Sequence, residues 1–497
     1  MSLSLTAIEN IIDTSGTAPV IEGLLPPAVR GRQLTARTLL TGMMLALADG
    51  RPAHLTRAHA ALLALPKADQ KRLGVIEDWK DGPHQLTYRQ AGHANRLITR
   101  ALAKTEPDGS PSRGLQHACD QLTEASIPDG FKNASTSLAA DWTDVEAWAR
   151  PVPHDAAGSG TDPEASWGHR NVNRKIQKGE MFYGYYLSAA VMVKDDNAPA
   201  VPELARRITV CSSAHDPAAA LAGVLTSMPA GGIALGDIIA DSGCSHRKAG
   251  TWALPLRQAG ASLVQDLHPT DRGPRGTHDG AVIANGNLYC PATPQALLQL
   301  IPLPPGAAPA DTAAHDQQAA ELARHKIGAH SGEDADGYRR HTCPAAAGKI
   351  RCPLRPASMK LDRNRPEILT PPAHPQACCT QQTITVPPQI AARTRQKHDY
   401  PSAAWRTSYQ RRTAAERFNA AIKDTATGSI DRGWIRLTGL TPLTLWLACM
   451  TAVRNQRILT IWHKRQQDNT RRAAAGPPPA TRKRRRTTPP PAPAAPP

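Results

Sequence analysis

The chain has 497 residues, 40% of them apolar, which is enough for about three domains with hydrophobic cores. Lys and Arg outnumber Asp and Glu by 59 to 42, and the resulting charge of +17 favours a polyanionic partner, nucleic acid before an anionic membrane. The sequence contains no long apolar run and no secretory signal pattern, so a membrane-spanning or secreted protein is not expected. We therefore expect a soluble intracellular protein.

The first part of the chain, residues 1–110, is predicted to be mostly helical. Apolar spacing indicates a buried helix around Leu39–Leu47 and a second helix at Tyr88–Ala103. A run of turn-forming residues from Glu106 to Ser112 then predicts a domain boundary.

From about residue 135 to residue 270, strands and helices are predicted to alternate. Asp216 and Pro217 are a typical N-cap and first residue of a helix. The predicted strands are Leu138–Asp141, Phe182–Val193, Arg207–Cys211, Ile233–Asp241 and Ser262–Leu267, with helices at Asp216–Met228 and Arg247–Ala259. Asp141 and Asp241 each end a predicted strand, where an open sheet exposes side chains to a ligand.

Residues 271–400 are turn-rich and hold five of the nine cysteines. The chain has nine cysteines, an odd number, and a disulfide framework is not expected in a reducing compartment. Four thiolates can bind a structural Zn²⁺ and so stabilise a region with little apolar core. The candidate ligands are Cys290, Cys343, Cys352 and one of Cys378 or Cys379. Their spacing lacks the close Cys-x2-Cys pairs of typical zinc sites, so ordinary buried thiols are the alternative.

The C-terminal region, residues 401–465, is predicted to form two long helices, from Ser402 to Lys423 and from Thr441 to His463. Residues 466–497 are rich in Pro, Ala and Arg and include the basic run Arg482–Arg486. This composition predicts a disordered basic tail.

The first of these helices carries a charged stripe. Tyr409, Arg412, Glu416 and Lys423 fall within roughly 60° of one another at about 100° per residue. The opposite side is apolar and can pack on a core, with Ala414, Ala415, Phe418, Ala421 and Ile422. Two cations that flank one acid suit phosphates passing a metal-holding carboxylate, although a simply solvated helix face has the same pattern.

Two further acids extend this hypothesis. Phosphodiester cleavage needs an activated nucleophile and a stabilised leaving oxygen, and two Mg²⁺ ions held by carboxylates supply both. Asp141, Asp241 and Glu416 are the candidate carboxylates. Asp144, with Glu146 nearby, is an alternative to Asp141, and Asp237 is a weaker alternative to Asp241.

Four motifs together resemble those of bacterial insertion-sequence transposases of the DDE type that have a Tyr-Arg-Glu-Lys signature. Tyr409, Arg412, Glu416 and Lys423 match the spacing Tyr-x2-Arg-x3-Glu-x6-Lys at all four positions. The other three motifs are Asp141-Trp142-Thr143, Ala240-Asp241-Ser242-Gly243 and the glycine-aromatic segment Phe182-Tyr183-Gly184-Tyr185. Trp142 departs from the small residue usual in the first-Asp motif. The resemblance covers about residues 135–460.

The resemblance implies an α/β fold: an RNase H-like core with a mixed sheet that begins at 135–270, a helical N-terminal domain, a turn- and β-rich insertion at 271–400 and catalytic helices at 401–465. Asp141, Asp241 and Glu416 would hold two Mg²⁺ ions, for which Mn²⁺ can substitute. Tyr409, Arg412 and Lys423 would contact DNA phosphates.

The same resemblance implies the partners: the terminal inverted repeats of an element, bound by the N-terminal domain, and a target DNA, with a homodimer assembled on DNA. The expected location is the cytoplasm, in association with the nucleoid. Two alternatives stay open, an RNase H-like nuclease that cuts without joining and an inactivated transposase that acts as a DNA-binding protein.

Overall fold

The N-terminal region consists of helices and one hairpin. The computed structural model describes residues 3–27, 34–80, 82–103, 109, 111–151, 160–170, 181–425 and 428–476. The first elements are α1 (Leu5–Ser15), α2 (Thr17–Leu24), α3 (Ala36–Ala48), α4 (Leu55–Leu63), α5 (Lys67–Arg72), β1 (Ile76–Trp79), β2 (Gly82–Gln85) and α6 (Tyr88–Leu102). The helices predicted at 39–47 and 88–103 are confirmed. The hairpin of β1 and β2 was not predicted, because its mostly exposed strands show no alternation of apolar residues. Most of the boundary predicted at 106–112 lies outside the described residues.

A mixed sheet forms the centre of the molecule. The helices before it are α7 (Arg113–Ala125) and α8 (Asp129–Lys132), and its strands are β3 (Leu138–Glu146), β4 (Ser166–His169), β5 (Met181–Met192), β6 (Ala205–Ser212), β7 (Asp237–Ala240) and β8 (Ser262–Gln265). The order is β4-β5-β3-β7-β8, and β6 also pairs with β5. The pairs β3–β5 and β5–β6 are antiparallel, whereas β3–β7 and β7–β8 are parallel.

Two strand predictions differ most from the structure in length. The strand predicted to end at Asp141 continues to Glu146, because β5 supplies an antiparallel partner for every residue of β3. The strand predicted at 233–241 begins only at Asp237, where its pairing with β8 begins. Asp141 therefore lies inside β3, and Asp241 follows directly after β7.

Helices cover both faces of the sheet. Three helices belong to this part of the chain, namely α9 (Pro217–Ser227), α10 (Ser242–Ser245) and α11 (Ala253–Gln258). Because neighbouring strand residues point to opposite faces, Leu138 and Ala140 pack with α9 and α11. Ala139 and Val145 belong to a larger apolar cluster on the opposite face, which also contains residues of the N-terminal helices.

The insertion predicted to be turn- and β-rich contains two small antiparallel sheets. They are formed by β9 (Pro274–His278), β10 (Ala281–Ala284) and β11 (Asn287–Tyr289), and by β12 (Gly328–Glu333), β13 (Arg339–Thr342) and β14 (Thr383–Val386). The insertion also contains α12 (Gln295–Leu298), α13 (Pro309–Arg324) and α14 (Ala377–Thr380).

The C-terminal helices return to the large sheet. They are α15 (Ala403–Tyr409), α16 (Thr413–Ile422) and α17 (Leu440–Ala475). The single helix predicted from 402 to 423 is interrupted by a 3₁₀ turn at Gln410–Arg412, where Arg411 Nε donates to the Ser408 carbonyl at 3.0 Å. Both α16 and α17 contribute to the apolar cluster that also contains the N-terminal helices.

The last helix is longer than predicted. It continues to residue 475 rather than 463, because the polar residues after His463 are largely good helix formers. The first ten residues of the predicted disordered tail are thus helical, and 477–497, with the basic run, lie outside the described residues. Despite the length of α17, the described part of the chain contains no helix with the length and apolar character needed to cross a membrane.

Candidate active site

The parallel pairing of β3 with β7 brings two of the predicted acids together. Leu138 is paired with Ile238 and Ala139 with Ile239. The same register, continued by two residues, places Asp141 opposite Asp241. Since β7 ends at Ala240, the edge of β3 is uncovered on that side from Asp141 onward. The two carboxylates meet where the sheet opens.

The environment of Asp141 disfavours a negative charge. Burial raises the pKa of Asp141 to about 7, and repulsion from the carboxylates of Asp241 and Glu416 contributes. The Trp142 amide, which donates to Asp141 Oδ1 at 2.8 Å, and the Arg412 guanidinium act in the opposite direction. Acids that repel one another in a partly buried site gain free energy when a cation binds between them.

Glu416 reaches the same place from α16. Its carboxylate is bonded to Arg412, whose guanidinium is also 3.9 Å from Asp141 Oδ2. Arg412 therefore lies between two of the three predicted acids. Both Asp241 and Glu416 lie within electrostatic range of Asp141, although the oxygens of the three acids do not all lie within 4.8 Å of one another.

The other members of the predicted stripe have distinct partners. The Tyr409 ring stacks on Trp405 with centroids 4.8 Å apart, and burial raises the pKa of its hydroxyl. Arg412 lies over the same tyrosine ring, 5.7 Å from its centroid. Lys423 Nζ is 2.8 Å from Asp144 Oδ1. Tyr409 and Arg412 are thus beside the acids, whereas Lys423 is paired with another carboxylate.

The opposite side of α16 is apolar, as the sequence predicts. Ala414, Ala415, Phe418 and Ile422 are buried in the cluster that covers the sheet. This packing fixes which side of the helix faces the open edge of β3. Glu416, on the other side, keeps a side chain that is 50% exposed.

The two alternative acids are engaged in ion pairs. Asp144 binds Lys423 and Arg170, and these cations hold its pKa below the usual value although burial alone would raise it. Asp237 begins β7 and is bonded to Lys397 and Arg411. It lies at the end of β7 opposite to Asp241. The geometry favours Asp141 over Asp144 and Asp241 over Asp237.

Trp142, the departure from the usual motif, packs on the glycine of the second motif. A Cβ on Gly243 would lie 2.8 Å from Trp142 Cη2, so no side chain fits there. The Gly243 amide donates to Asp241 Oδ1 at 2.8 Å. The guanidinium of Arg247 lies over the Trp142 ring, 5.7 Å from its centroid. The large residue after Asp141 therefore supports the turn that presents Asp241.

One residue of this site, Asn419, was not predicted from the sequence. Asn419 Nδ2 donates to Asp141 Oδ2 at 3.1 Å and so orients the carboxylate. Its position three residues after Glu416 on the same helix could have indicated it, because residues three apart share a helix face.

A possible metal site of a different composition was also missed. His246, His268 and Asp271 offer ligand atoms that all lie within 4.8 Å of one another and could hold a metal ion. Asp271 is also paired with Arg393, which lowers the negative charge of the group. No local motif reveals it, since 22 residues separate the two histidines.

Four of the five insertion cysteines lie around one cavity. It is lined by Cys290, Cys343, Cys352 and Cys379, together with apolar side chains. Cys378 does not line it, although its Sγ is 3.8 Å from Cys379 Sγ. The hydrogen bond between the two thiols, together with the guanidinium of Arg355, lowers the pKa of Cys379. The structure thus chooses Cys379 where the sequence leaves two candidates.

No family model matches the chain, and no curated protein matches it.

Proposed function

We propose that the chain is a DDE-type transposase, which cleaves and joins DNA with two Mg²⁺ ions held by Asp141, Asp241 and Glu416. The convergence of these three acids at the open edge of β3 carries this proposal. Carboxylate oxygens are the ligands that Mg²⁺ prefers, and Mn²⁺ accepts the same set.

The topology of the large sheet supports an RNase H-like core. The order β6-β5-β3-β7-β8 begins with three antiparallel strands along the chain and continues with two parallel strands. Asp141 lies on the first of these strands and Asp241 directly after the fourth, in the order that the resemblance implies. The insertion then separates them from the helix that carries Glu416.

The protein groups around the acids have separate tasks. Two Mg²⁺ ions, when bound, would activate the attacking oxygen and stabilise the leaving oxygen. Asn419 and the Trp142 amide each hold one oxygen of Asp141. Arg412 pairs with Asp141 and Glu416, and its guanidinium would be the group that contacts a DNA phosphate at this edge of β3. The Tyr409 ring packs against the guanidinium of Arg412 and so helps to position it.

The partners follow from the charge and from the reaction. A formal charge of +17 favours binding to DNA along its phosphates. The terminal inverted repeats of an element and a target DNA are the proposed substrates. Cutting and joining both ends requires two active sites, which a homodimer on DNA supplies, and the bacterial nucleoid is the proposed location.

The test uses the purified full-length chain and DNA that carries the sequence flanking its gene on both sides, because the ends of a mobile element enclose its transposase gene. With Mg²⁺ and a supercoiled target plasmid, we expect cleavage at fixed positions in the flanks and joined products, both lost in EDTA. Asp241→Asn should abolish cleavage and joining while the flanking DNA still binds. Asp336→Asn, at an exposed site in the insertion, is the matched control and should retain parental activity.

The outcomes separate the alternatives. Cleavage without joined products would replace the transposase with a nuclease. Metal-independent binding by the parent, without any cleavage, would indicate a DNA-binding protein. Normal cleavage by Asp241→Asn would refute the assignment of the metal ligands.

A further inference from the structure

Four cysteines that are distant in the sequence surround one small cavity in the insertion. Cys290 directly follows β11, Cys343 directly follows β13, and Cys379 belongs to α14, just before β14. Cys352 lies in the long connection between β13 and α14. All four are buried. The cavity between them measures about 10 Å³, which is room for about one water-sized sphere.

The apolar core around the thiols is too small to hold the region by itself. The cluster next to the cavity has six buried residues, and three of them are Cys290, Cys343 and Cys352. Small units with so little apolar burial are commonly stabilised by a metal ion or by disulfides. All nine cysteines are free.

We propose that Cys290, Cys343, Cys352 and Cys379 bind one structural Zn²⁺ ion, which joins the ends of strands from both small sheets of the insertion. The site is closed, with four thiolates and no position for a substrate. It does not depend on the proposed transposase activity, because none of its ligands belongs to the acidic site.

Zinc binding requires a small contraction of the cavity. Four sulfurs at about 2.3 Å from zinc lie about 3.8 Å apart. No three of the cysteine sulfurs of the described residues lie within 4.8 Å of one another. At least two thiols must therefore rotate or shift inward, into space that the cavity already provides.

The neighbouring Cys378 serves as an internal control. It is as buried as Cys379, and both belong to the apolar cluster that contains Ala281, Ile327 and Ile384, but Cys378 does not line the cavity. A substitution there perturbs the same short helix without removing a proposed ligand. The two adjacent variants thus separate ligand loss from local damage.

The experiment measures metal in the full-length protein, purified without chelator from zinc-containing medium. We expect about one equivalent of zinc in the parent and in Cys378→Ser, and less than about a tenth of an equivalent in Cys379→Ser and Cys343→Ser. Replacement by Co²⁺ should give thiolate-to-cobalt charge-transfer absorption in the parent. Chelation of the metal should lower the melting temperature of the parent and leave that of Cys379→Ser unchanged.

Three results would overturn the proposal. The first is a parent with less than about a tenth of an equivalent of zinc, where a tight structural site should be nearly filled. The second is zinc that is lost in Cys378→Ser and retained in Cys379→Ser. The third is zinc that is lost in His246→Ala but kept in the cysteine variants, which would place the ion at His246, His268 and Asp271.

Discussion

Replacement of Asp141 by Asn should stabilise the metal-free protein at alkaline pH. The pKa of Asp141 is raised from 3.8 to about 7, chiefly by burial. Below pH 3.8 the carboxyl is protonated in both the folded and the unfolded chain. Between pH 3.8 and pH 7 the carboxyl loses its proton in the unfolded chain but keeps it in the folded chain, so the free energy of unfolding falls as the pH rises. Above pH 7 the folded protein carries the full cost of a buried, ionised Asp141.

The size of this effect follows from the shift. At 1.36 kcal/mol per pKa unit, a shift of about 3 units costs about 4 kcal/mol above pH 7 and less than half of that near pH 5. Asp141→Asn removes the charge and retains the shape. Asn419 Oδ1 is buried without a hydrogen-bond partner among the described residues. If the amide of Asn419 rotates, this oxygen can accept a hydrogen bond from the amide that replaces the Asp141 carboxylate.

The assay is thermal unfolding in EDTA at about pH 8.5 and about pH 5. For a cooperative unit of roughly 200 residues, 1 kcal/mol corresponds to about 2 °C, so Asp141→Asn should melt up to about 8 °C above the parent at the higher pH. The gain should shrink by more than half at the lower pH. Asp144→Asn is the control with opposite sign: the lowered pKa of Asp144 stabilises the fold above pH 3.8, so this variant should melt below the parent at both pH values. Equal gains for Asp141→Asn at both pH values, or a loss at pH 8.5, would refute the reasoning.

Three other perturbations test the stripe, the packing of α17 and the glycine of β5. Arg412→Ala and Lys423→Ala should each weaken binding to the flanking DNA and lower the slope of log Kd against log salt by about one. Glu416→Gln should leave this slope near that of the parent. Equal slopes for the three variants and the parent would contradict a phosphate-facing stripe. Asn455 makes three buried hydrogen bonds to β6 and to the end of α7, so Asn455→Leu should lower the free energy of unfolding by about 3 kcal/mol in urea. A Cβ on Gly184 would lie 2.1 Å from a carbonyl oxygen of β3, so Gly184→Ala should cost about 3 kcal/mol in the same assay, and parental stability would show that β5 shifts freely.

Local patterns were sufficient for most elements of the core and for the composition of the candidate site. The N-cap Asp216, with Pro217 after it, begins α9 as predicted, because a cap depends only on the residues of the first turn. The buried face of α16 was likewise visible in the spacing of Ala414, Phe418 and Ile422. Periodicity reports which side of a helix is apolar, and so the side that carries Glu416 could be identified before the fold was known.

Pairings between distant segments were decided only by the tertiary structure. The parallel register of β3 with β7 selects Asp141 rather than Asp144 as the neighbour of Asp241, whereas the sequence kept Asp144 open as an alternative. The cavity that selects Cys379 over Cys378 depends on where β11 and β13 end. A register is set by the packing of both faces of a sheet, and a local sequence window contains only one of the partner strands. The sequence by itself therefore determined which acids and thiols are candidates for metal binding, and the fold determined which of these candidates lie near one another.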